Sequence, residues 1–377
     1  MSKSALHDLA TLGVAVSYDN IGRELILSGG LAKMIRKDGI AGETANPIIY
    51  EKAVSTTDAY DSEIVELSRA GLPADRIVME LWAHDVQLAC DVFRPVYEAT
   101  NHVDGYVSLE LPPHLAHDAE GTIEAAREVR KRVDRPNLAL KIPATCESSP
   151  AIEACVADGA NVNATVIFSR ETYENVVQAY RRGLERRLAA GLSLDLTSFA
   201  SVFMSRYDAP VDDILLGRIR EATSQEEIGT LKSVMGRVSI ASAWMIARRF
   251  REFFDGPEFA HLRAAGARPQ RPLWAGVVAR NSRYGDVTYM EALAIPGTAI
   301  TASDAPVDGF RIHGIPLAAE DDGSADVVLD TFKTLGIDVD QIALDMEESV
   351  VSAFTDAFNK LVAGVARKAV LAPVSAS

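Results

Sequence analysis

The sequence predicts an α/β fold, a parallel (β/α)8 TIM barrel with extra helices, and three observations lead there. Eight short apolar runs alternate with longer stretches of helical periodicity, the pattern of parallel strands joined by crossover helices. The 377 residues show no second regime of composition and no low-complexity linker, so residues 1–377 read as one barrel domain. No glycine-rich phosphate loop follows the first strand, where an open doubly wound sheet usually carries one.

Val14-Ala15-Val16-Ser17 is the first expected strand, and a helix follows over about Ile21 to Lys37. Ile40 to Ala45 is the second strand. A long helix from about Asp75 to Thr100 sets Trp82, Val86, Ala89, Phe93 and Val96 four and three apart on one stripe, the mark of a helix with one buried face. Strands three to eight are expected at Tyr106–Leu111, Leu138–Ile142, Asn161–Ile167, Ser198–Met204, Leu273–Val278 and Thr298–Thr301. The stretch 208–265 is mostly helical in pattern and too long for one crossover, so extra helices belong between strands six and seven. In a C-terminal helical segment, about 325–370, Ile342, Met346, Val350, Phe354, Phe358 and Leu361 form another stripe, read as a packing face rather than a partner-binding one.

Composition excludes several classes. With 53 acidic against 38 basic residues the net charge is -15, which argues against nucleic-acid or acidic membrane surfaces. An anionic substrate must be held by a few local basic groups. The hydrophobic share of 48% and charged share of 24% are ordinary for a soluble enzyme. Cys90, Cys146 and Cys155 are odd in number and show no CxxC spacing, so neither a disulfide framework nor a zinc site is implied. The start of the chain lacks the apolar core of a signal peptide, and no run reaches membrane-spanning length. A cytoplasmic protein is expected.

Lys141 stands inside Leu138-Ala139-Leu140-Lys141-Ile142-Pro143-Ala144-Thr145, between turn signals at Arg135-Pro136-Asn137 and Glu147-Ser148-Ser149-Pro150. Lysine is rarely buried. A strand covered on both faces strips an ammonium of water and favours the neutral amine, the form that makes Schiff bases with carbonyls. The plainer alternative is a lysine that snorkels from a strand end to solvent. Strand alternation adds polar neighbours. Asn161, Asn163 and Thr165 share one face, Ser108 and Glu110 another, and Ser201, Phe203 and Ser205 a third, each opposite an apolar face. The apolar faces of barrel strands pack on helices, so these polar faces must look inward, where barrel enzymes place their chemistry.

Together these residues resemble the transaldolase family in its longer bacterial form. The resemblance rests on Asp19 in Ser17-Tyr18-Asp19-Asn20, Asn46 in Thr44-Ala45-Asn46-Pro47, Glu110 in Val107-Ser108-Leu109-Glu110 and Lys141 in Lys141-Ile142-Pro143-Ala144-Thr145. Asn163 and Thr165 in Asn161-Val162-Asn163-Ala164-Thr165 follow, then Arg206 after Ser201-Val202-Phe203-Met204-Ser205. Their order and spacing cover nearly the whole chain. The resemblance implies that Lys141 forms a Schiff base with a ketose phosphate, that Asp19 moves the proton of the cleaved alcohol, and that Glu110 shuttles protons through a water held by Thr165. It further implies that Asn46 and Asn163 bind hydroxyls of a three-carbon unit, and that Ser201, Phe203, Arg206 and Arg280 line the substrate's path, with Ser201 and the arginines on its phosphate. Sugar phosphates are then the partners, and no metal and no cofactor is needed. Asn46 before Pro47 also fits a turn residue, Asp19-Asn20 a helix cap, and Arg206 a surface arginine.

The chain departs from the family's pattern in places. Strand seven runs Trp274-Ala275-Gly276-Val277-Val278-Ala279-Arg280-Asn281, with valines where hydroxyl residues are usual, and strand eight lacks the usual asparagine-threonine-methionine-proline run. Ser17-Tyr18-Asp19-Asn20 is changed around its aspartate, and Glu43 precedes the strand-two motif. These changes leave open a Schiff-base aldolase with a different sugar, and a non-catalytic sugar-phosphate-binding relative; Asp19, Glu110 and Lys141 together weigh against the latter. His84, His114 and His117 form no metal-like pattern, and Cys146 near the expected barrel mouth has no paired base.

Overall fold

The computed structural model describes residues 4–281 and 283–371. Among them, eight strands close into a barrel in which each runs parallel to the next and the last pairs with the first. They are β1 (Ala15–Asp19), β2 (Gly42–Thr44), β3 (Tyr106–Glu110), β4 (Leu138–Pro143), β5 (Asn161–Ile167), β6 (Ser198–Phe203), β7 (Gln270–Ala275) and β8 (Ala299–Ala302).

Most strand ends fall within one or two residues of those expected, and the larger departures have local causes. The helix expected over residues 21–37 is two helices, Arg23–Leu27 and Gly30–Asp38, because Gly29 between them has φ 78°, a conformation that ends a right-handed helix. β2 keeps only three residues. β7 begins and ends three residues early: its ladder with β6 runs from Ser198↔Gln270 to Phe203↔Ala275, and Gly276 at φ 66° turns the chain out of the sheet. Val277 and Val278 therefore lie beyond the strand their apolarity suggested. The expected helices between β6 and β7 are Ser205–Glu221, Gln225–Ser233, Val238–Asp255 and Pro257–Ala264, starting three residues before the expected 208.

Strand alternation divides the core. The outward side chains of β3, β5 and β6, among them Val107, Leu109, Val162, Ala164 and Val202, pack with the helices. In the helix Ala74–Ala99, Trp82, Val86, Ala89 and Phe93 are wholly buried, and Trp82 stacks on Tyr50 at 4.5 Å. Burial of side chains the size of Val86 or Phe93 stabilises by about 1.5–3 kcal/mol each. Inside the barrel, a separate cluster that includes Ala15, Tyr106, Ala139, Phe199, Leu273 and Ala299 fills the amino-terminal end. Polar residues follow on the same faces toward the carboxyl ends.

The helix Val339–Leu371 packs against the helices Pro47–Ser55, Asp61–Arg69 and Ser205–Glu221, the turn Pro113–Leu115 and β5. It thus lies across the carboxyl ends of the strands. Val350, Phe354, Phe358 and Leu361 are buried beneath it, so the stripe is a packing face and its partner is the barrel mouth. Lys368 donates to Asp61 at 2.6 Å and to the Thr57 carbonyl at 2.9 Å. Glu347 accepts the Thr172 hydroxyl at 2.7 Å. Among the described residues no helix is long and apolar enough to cross a membrane.

Burial pushes the Glu347 carboxyl up to about 7. A carboxyl raised in the folded state favours folding fully below its unfolded value and loses that contribution as pH rises through the folded one. Glu347→Gln keeps the acceptor oxygen and cannot ionise. Its Tm is expected to exceed that of the unaltered protein at pH 8, by the equivalent of about 3 kcal/mol, and to match it near pH 4.5; an equal difference at both values would exclude a charged Glu347 as the source.

Candidate active site

Residues paired across parallel strands point the same way, so the register assembles the site. Glu110 of β3 pairs with Lys141 of β4, which pairs with Asn163 of β5. Asp19 of β1 pairs with Thr44 of β2. Lys141 is 4% exposed, so it is buried and does not snorkel. Its ammonium lies 3.0 Å from Glu110 Oε2 and donates to the Ala45 carbonyl at 3.0 Å.

Two carboxyls share this one ammonium. Burial pushes Glu110 above the usual carboxylate range, the Lys141 charge pulls it back, and Asp19 pushes it up again. Burial likewise raises Asp19, against the Lys141 charge and the Thr44 hydrogen bond. A buried cluster with one positive and two potential negative charges resists ionising both acids, and paired groups whose environments differ can divide into an acid and a base. Thr44 donates its hydroxyl proton to Asp19 Oδ1 at 2.8 Å. That leaves the Thr301 hydroxyl to donate to Thr44 Oγ1 at 2.6 Å, since a hydroxyl has one proton. Asp19 is thereby fixed from both β2 and β8.

Asn163 is held on both ends of its amide: it donates to Ser108 Oγ at 3.1 Å and accepts the Ser201 hydroxyl at 2.6 Å. Thr165 is wholly buried, and its hydroxyl oxygen has no partner. Asn46 caps the helix Pro47–Ser55, its Oδ1 accepting from the Ile48 and Ile49 amides at 3.0 and 3.1 Å. Capping and site roles therefore coexist, because the amide nitrogen remains for a ligand.

A cavity of about 200 Å³ opens at the carboxyl ends of the strands and brings together Asp19, Asn46, Lys141, Ser201, Phe203, Arg206 and Arg280. It is small beside the roughly 300–1,000 Å³ of pockets for larger ligands. Glu110, Asn163 and Thr165 are wholly buried and do not line it. Among the described residues neither Arg206 nor Arg280 has an acidic partner, and burial together with the Arg280 charge holds Arg206 below its ordinary value. Two close, unpaired guanidiniums form an anion site.

Thr44, Thr301, Ser108 and Phe354 also belong to the site, and of these only Ser108 is expected on an inner face from the sequence. The first three sit on inner faces of their strands. Phe354 reaches the cavity from the helix Val339–Leu371, and no local signal says where that stripe docks. Glu43 is wholly internal on the opposite face of β2 from Thr44, with both oxygens unpartnered and its carboxyl pushed well up by burial. Val278 lines the cavity, so the altered strand-seven segment does reach the site. The histidines are elsewhere: His84 meets Glu63 at 3.0 Å and His117 meets Glu147 at 3.2 Å. Cys146 is exposed just after β4.

The family model for transaldolase/fructose-6-phosphate aldolase matches residues 16–365. The chain is 39% identical to a transaldolase of Acidothermus cellulolyticus over 96% of both chains. It is 38% identical to a transaldolase of Thermobifida fusca, covering 97% of this chain and 98% of the relative. A protein of Nostoc punctiforme named transaldolase 2 is 37% identical over 99% of this chain and all of its own.

Proposed function

The chain belongs to the transaldolase/fructose-6-phosphate aldolase family, and on that premise we propose that it transfers a dihydroxyacetone unit from a ketose phosphate to an aldose phosphate through a Schiff base on Lys141. The donor would be sedoheptulose 7-phosphate or fructose 6-phosphate, and the acceptor glyceraldehyde 3-phosphate or erythrose 4-phosphate. Such a step belongs to the non-oxidative pentose phosphate pathway of the cytoplasm, with residues 1–377 acting as one catalytic barrel domain. The observation that carries this reading is a buried lysine 3.0 Å from a buried carboxylate, in one cavity with Asp19 and two unpaired arginines.

The neutral amine of Lys141 attacks the ketone carbon, and the carbinolamine loses water to give an iminium. Glu110, beside the nitrogen, moves the protons of this step through a water held by the Thr165 hydroxyl. Asp19 then takes the proton of the hydroxyl on the carbon beyond the bond to be cut. The carbon–carbon bond breaks, its electron pair flows to the iminium, and an aldose phosphate departs. The three-carbon enamine stays bound, oriented by Asn46 and Asn163. When an acceptor aldehyde arrives, the enamine carbon attacks it and Asp19 returns the proton to the new hydroxyl. Water releases the product from Lys141.

Incubation with fructose 6-phosphate, with and without erythrose 4-phosphate, tests the transfer. Sedoheptulose 7-phosphate is expected only with the acceptor present, and little dihydroxyacetone without it. Free dihydroxyacetone in both mixtures would make the protein an aldolase, and no product in either would leave a sugar-phosphate-binding relative.

The phosphate end gives a separate expectation. Ser201, Phe203, Arg206 and Arg280 line the donor's path, and each guanidinium contributes a charge-assisted contact of about 1.5–3 kcal/mol. Arg206→Ala and Arg280→Ala should each raise KM for phosphorylated donors roughly ten- to a hundredfold, with far less effect on unphosphorylated sugars. Phosphorylated donors untouched by Arg280→Ala would mean that Val278 marks a rebuilt pocket for another sugar.

A further inference from the structure

One residue of β5 holds a backbone conformation that its side chain resists. Val166 has φ 66° and is 2% exposed. The other described non-glycine residues at positive φ are Asn101, His102 and Asp134, all outside strands. Asparagine, aspartate and histidine enter the left-handed region several-fold more readily than other side chains, whereas a β-branched residue there is a true outlier. Such strain persists only where the surroundings impose it.

The consequence is a change of face. Between β5 and β6, Ala164 pairs with Ala200 and Ile167 with Val202, so three steps on one strand match two on the other. This is a bulge of one residue. Ala200 and Val202 point outward, because Ser201 between them reaches inward to Asn163. Ile167 therefore points outward too and is wholly buried in the outer core. Plain alternation would have put Ile167 on the inner face with Asn163 and Thr165, at the mouth of the barrel. The bulge instead makes Thr165 the last inward residue of β5. Its carbonyl accepts the Ala144 amide at 2.8 Å, and its buried hydroxyl is left unpartnered.

We propose that Val166 is a positioning residue for the reaction: its left-handed backbone turns Ile167 out of the site and sets the Thr165 hydroxyl where the water of imine formation is held. The inference rests on the Schiff-base reading and deepens it. Val166 does not line the cavity itself. Its side chain, buried among the apolar residues of the core, holds a conformation that an isolated valine would leave.

Glycine and alanine at this position separate the backbone from the packing. Both lose the valine's contacts, but glycine takes positive φ freely and alanine does not. With turnover counted per folded molecule, gauged by near-ultraviolet circular dichroism and thermal unfolding so that misfolded molecules drop out, kcat is expected to fall in the order valine, glycine, alanine. Val166→Ala should lie about tenfold below Val166→Gly at nearly constant KM. In a Thr165→Ala background Val166→Ala should cause no further loss, and Ile167→Ala, by shrinking the intruding side chain, should restore part of what Val166→Ala removes. The order valine, alanine, glycine, equal rates for all three, or losses that simply add to that of Thr165→Ala would each overturn the proposal. Absence of any trapped lysine in the unaltered protein would refute the Schiff-base reading instead, so the two failures are told apart.

Discussion

Borohydride added together with fructose 6-phosphate is expected to fix a dihydroxyacetone-derived mass on the peptide that contains Lys141, and Lys141→Arg is expected to abolish both the adduct and turnover. The warrant is position. Lys141 is 4% exposed, beside Glu110 and above the apolar floor of the barrel, whereas Lys360 and Lys368 are engaged with acidic partners on the outside of the fold. Imine formation needs an amine that can shed its proton and a nearby group to receive it. A guanidinium keeps the charge and does neither. Because the covalent route is lost as a whole, the activity left should be indistinguishable from background. A label on any other lysine, or residual transfer in the arginine variant, would remove Lys141 from its assigned role.

Lys141 was legible because one charged residue interrupts an apolar run, an exception that no other strand of the barrel shares so plainly. Alternation then exposed Ser108, Glu110, Asn163, Thr165 and Ser201, and all of them point inward. Periodicity gives the face of a residue and says nothing of its neighbours. The contact of Thr44 with Thr301 joins residues 257 positions apart, and no local pattern encodes it. Nor does apolarity mark the end of a strand when a glycine turns the chain, as Gly276 does after β7. The bulge at Val166 was hidden for a related reason: Val166 and Ile167 are good strand residues, and the extra step appears only once β6 supplies the register. Phe354 is the plainest case. Its stripe said that the helix packs, and only the assembled barrel mouth says on what.

The second large effect should separate the two carboxyls. Asp19 is oriented by a hydroxyl chain from Thr301 through Thr44, and Glu110 sits against the lysine nitrogen. If Asp19 handles the proton of the alcohol that is cleaved, Asp19→Ala should still form the imine and fail at the carbon–carbon bond. Borohydride would then trap the whole uncleaved sugar phosphate on Lys141 in place of a three-carbon fragment. Glu110→Gln should slow imine formation itself, so trapping of any adduct becomes slow while the trapped mass stays that of the fragment. Each variant is expected to lose roughly a hundred- to ten-thousandfold in kcat, the span of a positioned acid or base. Mass and rate of trapping thus report different residues. Should both variants trap the same fragment at the same reduced rate, the two carboxyls would be acting as one unit around Lys141, and the division of labour drawn from their positions would be wrong.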